Sequence, residues 1–456
     1  MRTVFITSFH PHISRNILET KFLSLLRDRP DLKVVILAPD YKLKFFKDSF
    51  EKGNVIVEGV SPNQASKTAR GIFFKKLGIY LFDSATTRLK LRFKLYQDKK
   101  ILYYLFFSLL MFCGRSLWFQ RFARALDKKF SPKGFFSGLL KKYKPDLIFA
   151  TDIQNENDVS LMQDAERADI KVLGMVRSWD NMTQRVFRVW PDCLAVGSRE
   201  IYDEIEFLHD YPKERAVITG QPHYDRYLKA PLKNKNSFFA EMGLDVAKRL
   251  ILYAPIGDDI LVRNDIDRYI ISLLGLYADK LGAQVLVRLP TNLNLNLEGF
   301  RAPENVIFDK PGFAFGKSKA LDQEITKADD DRLIDELYWS DVVVAGPTSV
   351  LLDGALLDKP LIAINFYPED SLDSLRRPTS KRPYFKGLYH YDYVHIQKLL
   401  GTEGVREANT KTELKEAISD YFKNPKLDFA GRKKMREKWF SHADGHSSAR
   451  LAKLII

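Results

Sequence analysis

The sequence predicts an α/β chain of two domains, each built on a parallel sheet. Three observations carry this. Strand-like apolar runs alternate with helix-length stretches along most of the chain, the βαβ rhythm of a parallel sheet. The chain has 456 residues, too many for one core at roughly 100–200 residues per domain. A polar stretch at about 229–247, with Lys-Asn-Lys-Asn-Ser at 233–237, separates two such series.

In the first series, a strand over Thr3–Thr7 leads into a helix over Ile13–Arg27. Strands follow at Lys33–Ala38 and Val55–Val60. The rhythm breaks near Pro62 and resumes with strands at Asp146–Ala150, Lys171–Val176, Cys193–Val196 and Ala216–Thr219. The second series has strands at Leu250–Ala254, Gln284–Arg288, Val306–Asp309, Val342–Ala345 and Leu361–Ile364. Its helices are expected at Asp267–Leu281, Asp331–Trp339, Ser349–Leu357 and Lys411–Lys423, then Gly431–Phe440 and Ser447–Ile456. The domain boundaries expected are 1–228, 229–430, and a closing segment 431–456 packing back on the first domain.

Charge singles out one segment. The net charge is +14, yet Lys67–Lys142 holds 18 basic and 3 acidic residues, so the rest of the chain balances to −1. This segment, 66–142, reads as a basic helical insertion whose aromatic and basic residues suit an anionic membrane surface. Its longest apolar run, Ile101–Cys113, has thirteen residues against the roughly 20 that a crossing needs. No zinc-finger or recognition-helix signal supports nucleic acid as the partner. Met1-Arg2 runs straight into a strand, which reads against a signal peptide. Two cysteines, Cys113 and Cys193, provide neither a disulfide framework nor a metal cluster. The expectation is a cytoplasmic protein, peripheral on the inner face of the cell membrane.

The strongest chemical motif is the turn Gly346-Pro347-Thr348-Ser349 between a buried strand and a helix. Ligands of open α/β sheets sit at the carboxyl ends of strands, and a helix start favours phosphate. Thr348 and Ser349 add hydroxyl donors. Asp353, one turn on, is placed to accept from ribose hydroxyls. Arg288 ends a strand and is placed to pair with a diphosphate. A second motif, Arg177-Ser-Trp-Asp-Asn181, also follows a strand. Trp179 offers a flat wall to a sugar face, Asp180 a carboxylate base, and Asn181 a donor and acceptor for hydroxyls. A third, the loop Ser8–Arg15, carries His10 and His12, which can act as bases near neutral pH. His223, near the domain junction, is a further candidate for acceptor contact. Each has a plainer alternative: a capped helix, a structural tryptophan, hydrogen-bonded loop histidines.

The residues resemble a family. Thr348-Ser-Val-x-x-Asp353 followed by Leu-x-Lys-Pro looks like the donor site of GT-B glycosyltransferases. It is closest to the group of CDP-glycerol glycerophosphotransferases and bacterial capsule or surface-polysaccharide transferases. Ile251–Gly257, Val217–Asp225 and Asp444-Gly-x-x-x-x-Arg450 resemble further segments of that group, in the expected order. The resemblance implies two Rossmann-like domains facing a cleft, with Gly257, Pro347, Thr348, Ser349, Asp353 and Arg288 on a nucleotide-sugar donor. It places Trp179, Asn181 and His223 on a glycan or lipid-linked acceptor, and the base at Asp180, His12 or His10. The donor is a substrate; no cofactor and no metal are implied. Two departures speak against glycerol phosphate transfer. Arg288-Leu289-Pro290 lacks the family's histidine, and Ile256-Gly257 replaces its Thr-aromatic-Arg loop. Polyol-phosphate transfer, nucleotide-sugar epimerisation and a non-catalytic scaffold remain alternatives.

Overall fold

The computed structural model describes residues 1–257, 266–291, 295–315, 323–366 and 389–456. It divides into two compact units, Met1–Asp225 with Trp439–Ile456, and Arg226–Lys438. The sequence places these divisions at 228/229 and 430/431.

The first unit holds a seven-stranded parallel sheet in the order β3-β2-β1-β4-β5-β6-β7. Its strands are β1 (Arg2–Thr7), β2 (Leu32–Pro39), β3 (Val55–Val60), β4 (Leu147–Ala150), β5 (Lys171–Met175), β6 (Cys193–Val196) and β7 (Ala216–Ile218). β2 reads Leu-Lys-Val-Val-Ile-Leu-Ala-Pro and is buried at every position but Lys33. Burial on both faces is why it shows no polar alternation. The expected single helix over Ile13–Arg27 is broken. A short turn at Pro11–Ile13 runs into a π-helical stretch, Ser14–Leu18, and a new helix starts at Lys21–Arg27. Thr20 causes the restart. Its hydroxyl donates to the Ile17 carbonyl at 2.7 Å and accepts the Phe22 N–H at 3.2 Å, so it ends one segment and caps the next.

Between β3 and β4 the basic insertion forms the helices Ala69–Tyr80, Ala85–Asp98, Ile101–Cys113, Leu117–Phe130 and Ser137–Tyr143. A buried ion network pins it to the sheet domain. Arg188 donates to both oxygens of Asp127, at 2.7 and 2.9 Å, and to Glu156 at 2.6 Å. Three charges out of water are tolerable only because each is paired and hydrogen-bonded.

The closing helix, Ser447–Lys453, belongs to this unit. Leu451, Ala452 and Ile455 join the core beside Phe22, Leu23 and Leu26. Asp225 accepts from the N–H groups of Ser447 and Ser448 at 3.0 and 2.8 Å, capping the helix. Arg450 donates to the Thr219 carbonyl at 2.9 Å and pairs with Asp444. The Asp444–Arg450 motif is therefore a structural clasp.

The second unit holds a six-stranded parallel sheet in the order β10-β9-β8-β13-β14-β15. The strands are β8 (Arg249–Ala254), β9 (Ala283–Arg288), β10 (Val306–Asp309), β13 (Val342–Ala345), β14 (Leu361–Ile364) and β15 (Arg406–Ala408). A two-residue antiparallel pair, β11 (Phe313–Ala314) and β12 (Gln323–Glu324), stands apart. The sequence reading has no counterpart for β11, β12 or β15, since none carries an apolar run. The helix expected from Asp331 begins at Lys327, four residues earlier. Thr326 and Asp329 form a reciprocal capping box there.

Candidate functional site

Each sheet has one place where the strand order reverses, and crevices for ligands open at the carboxyl ends of the strands on either side. In the second unit the reversal lies between β8 and β13, which pair in parallel from Val342–Ile251 to Ala345–Ala254. Two connections leave there: Pro255-Ile256-Gly257 after β8, and Gly346–Ser349 after β13. Both are held in place. Asp267, buried at the start of the helix Ile266–Lys280, accepts the Ile256 and Gly257 N–H groups, each at 2.9 Å, and the Tyr253 hydroxyl at 2.6 Å. Gly257 sits at φ +89°, a conformation that favours glycine. The two connections touch: a Cβ on Gly346 would fall 2.3 Å from Cγ1 of Ile256.

The turn itself is at the surface, with Ser349 exposed and Pro347 and Thr348 half-buried. The helix that follows is short, Val350–Leu356, and Ser349 makes no side-chain cap. Thr348 Oγ1 is buried and has no hydrogen-bond partner among the described residues. A buried hydroxyl left unsatisfied is costly unless a ligand completes it. Asp353, expected to accept from ribose hydroxyls, is 2% exposed, so its carboxylate lies within the unit.

Arg288 is not brought to this turn. It is 8% exposed and donates to Asp309 at 3.0 Å, to Glu336 at 2.8 Å and to the Asp329 carbonyl at 2.8 Å. Its charge is answered by carboxylates of its own unit, and a diphosphate would have to displace them. Burial pushes the Glu336 carboxyl up to about 8, against the pull of Arg288.

In the first unit the order reverses between β1 and β4. The connections leaving there, and the one after β5, bring together His10, His12, Asp152, Arg177 and Asn181. Arg177 donates to Asp152 at 2.8 Å and to Asn181 at 3.4 Å. Asn181 donates in turn to Gln154 at 3.0 Å. The rings of His10 and His12 lie 5.0 Å apart. Burial first, then nearby charges, holds both well below the ordinary histidine value: Arg177, Lys42 and Arg15 for His10, and for His12 Arg15, the His10 ring when it is protonated, and Arg177. Both imidazoles are thus neutral at pH 7. His10 Nδ1 accepts the His12 N–H at 3.2 Å, which leaves the proton of neutral His10 on Nε2. Beneath them Thr7 donates to the buried Asp158, whose carboxyl is pushed up by burial and by Asp152.

Asp180 and Trp179, beside Asn181 in the same loop, have partners of their own. Asp180 accepts from Gln184 at 2.6 Å, and Lys90 of the insertion donates to the same Gln184 at 2.7 Å. Burial and Arg185 lower Lys90 to about 8. Trp179 packs edge-on against Trp439, ring centres 6.0 Å apart. His223 is buried and its ring lies 3.8 Å from that of Tyr224. Asp152, Lys42, Arg15 and Asp267 are not among the residues that the sequence motifs single out. Only Asp267 carried a signal, as an acid at the head of an expected helix. Among the described residues, no group of three or more His, Cys, Asp or Glu side chains is arranged to hold a metal ion.

No family model matches the chain, and no curated protein matches it. Solved structures do. MnaA from S. aureus, in a structure with UDP, is 10% identical with a TM-score of 0.54, covering 100% of this chain and 96% of that one. The UDP-GlcNAc 2-epimerase of Neisseria meningitidis, bound to UDP-GlcNAc, is 13% identical with a TM-score of 0.53, covering 100% and 99%. The UDP-GlcNAc 2-epimerase of Methanocaldococcus jannaschii is 11% identical with a TM-score of 0.52, again covering 100% and 99%. The chain has a GT-B-like fold. At these identities the likeness is one of architecture: two Rossmann-like units, as the sequence motifs implied. The GT-B-like fold leaves ligand and reaction to be argued from the two switch points themselves.

Proposed function

We propose that the protein is a glycosyltransferase that takes a sugar from a nucleoside diphosphate donor and passes it to a hydroxyl of a glycan or lipid-linked acceptor. The observation that carries this is the β8/β13 switch point, where an exposed turn ends in a buried, unsatisfied Thr348 hydroxyl. The hydroxyls of Thr348 and Ser349 suit the oxygens of a diphosphate, while the Gly346 and Thr348 N–H groups are taken by the Ala254 and Gly346 carbonyls and hold the turn in shape. The rigid Ile256–Gly257 backbone, clasped by Asp267, forms the neighbouring wall.

The first unit supplies the acceptor side. A neutral imidazole is the form that can take a proton. Of the candidate bases His10, His12 and Asp180, we take His12 as the base in this reading. The acceptor O–H gives its proton to His12 as its oxygen bonds to the anomeric carbon. The bond from that carbon to the diphosphate breaks, and the nucleoside diphosphate leaves with the electron pair. Arg177 and Asn181 position the acceptor hydroxyls, and Trp179 lies in the same loop.

A second reading is nucleotide-sugar epimerisation, favoured by the UDP and UDP-GlcNAc held in two of the similar structures. One experiment separates the readings. The protein is titrated with UDP, CDP, GDP, CMP and their sugars by thermal shift, and the stabilising donor is then incubated with and without a glycan acceptor. Transfer predicts nucleoside diphosphate release that rises with acceptor. Epimerisation predicts an altered sugar, still attached to the nucleotide, with no acceptor present. If no nucleotide shifts the melting temperature, both readings fail.

A further inference from the structure

The insertion carries an apolar face that nothing in its unit covers. The helix Ile101–Cys113 turns Phe107 and Met111 inward, against Tyr80 and Leu91. Its other side exposes Leu102, Leu105, Phe106, Leu109 and Phe112, with Leu102 83% exposed. Past a bend of 114° the next helix extends the face with Trp118, 72% exposed, and Phe122, their rings stacked parallel at 5.7 Å. Contiguous exposed apolar surface of this size marks an interaction site. Thirteen helical residues span about 20 Å, short of the roughly 30 Å hydrocarbon layer. Among the described residues no single helix is long and apolar enough to cross a membrane.

The charges around this face are sorted. The three acids of the segment are all paired: Asp83 with Arg88 and Arg115 at 2.5 and 2.6 Å and Asp98 with Lys94 at 3.6 Å, inside the segment, and Asp127 with Arg188 of the sheet domain. Basic residues toward the second half of the insertion are answered by acids of the sheet domain, Arg121 and Arg124 by Asp210, Lys128 by Glu166, Lys142 by Glu58. Arg92, Lys99 and Lys100 have no ion-pair partner among the described residues, and they sit beside the apolar helix. A hollow of about 260 Å³ opens at its edge, lined by Arg88, Arg92, Arg115, Tyr104 and Ser108 among others. Asp83, also in the lining, pairs with Arg88 and Arg115 but brings one negative charge against three guanidiniums, so the hollow keeps a net positive charge next to hydroxyl donors.

We propose that this face lies along an anionic phospholipid bilayer, with Leu102, Leu105, Leu109, Phe112 and Trp118 in the acyl boundary and a lipid phosphate in the Arg88–Arg92–Arg115 hollow. Interfacial helices combine these features: an apolar side sunk to the headgroup level and cations at its margins. The proposal is independent of the transfer chemistry, which resides at the switch points.

The test is co-sedimentation of the full chain with vesicles of phosphatidylcholine alone or with one third phosphatidylglycerol. The expected result is binding to the anionic vesicles, roughly tenfold or more weaker for Arg92→Glu and abolished for Leu105→Asp with Leu109→Asp. All these side chains are exposed, so melting temperature and nucleotide-induced thermal shift are expected to match the parent. Inorganic phosphate at millimolar concentration should not release the protein; release would make the hollow a site for free phosphate and overturn the lipid assignment. Failure of the parent to bind anionic vesicles, or equal binding by the double variant, would also overturn it. So would a dimer in light scattering that the double variant converts to monomer, because the face would then be covered by a second copy.

Discussion

Replacing Thr348 by valine tests the donor site most directly. The two side chains have nearly the same shape, so the substitution removes one hydroxyl and little else. That hydroxyl is buried and unsatisfied in the unliganded protein. Its loss should therefore leave stability unchanged, or raise it by up to about 1 kcal/mol, because an unsatisfied buried polar group is itself a cost. A hydrogen bond to a charged phosphate oxygen contributes about 1.5–3 kcal/mol, which converts to a roughly 10- to 150-fold weaker dissociation constant. The two effects have opposite signs, and a purely structural threonine cannot produce that pair. Calorimetric titration of the stabilising nucleoside diphosphate, alongside urea unfolding of the free protein, reads both. Thr348→Ser keeps the hydroxyl and should keep most of the affinity. If valine destabilises the free protein by more than about 1 kcal/mol, as loss of a satisfied hydrogen bond would, and nucleotide affinity is unmoved, no phosphate sits at this turn.

Three further outcomes follow from the geometry. Gly346→Ala would push a Cβ to 2.3 Å from Ile256, so a cost of about 1–3 kcal/mol by overpacking and weakened nucleotide binding are expected by the same two measurements. His12→Gln should lower kcat by about 100-fold or more while leaving donor affinity intact; an unchanged kcat would remove His12 from the chemistry. His209 is stacked between Phe187 at 3.8 Å and Phe82 at 5.3 Å, and burial lowers it to about 3. Its folded value lies below its unfolded one, so the unfolded chain binds the extra proton. The stability it confers is complete above pH 6.5 and is lost as pH falls toward 3, at about 1.4 kcal/mol per pH unit. His209→Asn should flatten that acid slope in urea midpoints taken between pH 4 and 7.

Much of the architecture is legible in the residues because parallel strands are buried on both faces. Val342–Ala345 and Leu361–Ile364 are unbroken apolar runs, and the structure has strands at those same bounds. The parts that were not legible lack such runs or depend on partners far along the chain. β15, Arg-Glu-Ala, is a strand only because β14 offers it an edge. The break at Thr20 hangs on one hydroxyl serving two segments. Site residues divide the same way. The turn at Gly346 is local and could be read from its spacing. Arg288 looked available at a strand end, but its partners Asp309 and Glu336 come from 21 and 48 residues further on. The association of His10 and His12 with Arg177 and Asp152 needs the order β1-β4-β5, which a linear reading does not give.

Because Leu451, Ala452 and Ile455 complete a core begun by Phe22 and Leu26, the first unit is discontinuous in sequence, and the second is written inside it. During synthesis the opening sheet emerges early but stays unsealed until some two hundred further residues have been added. A ribosome-bound chain would thus expose that apolar seam for the whole time the second unit is being made. A fragment ending at Lys438 would carry the same open seam permanently.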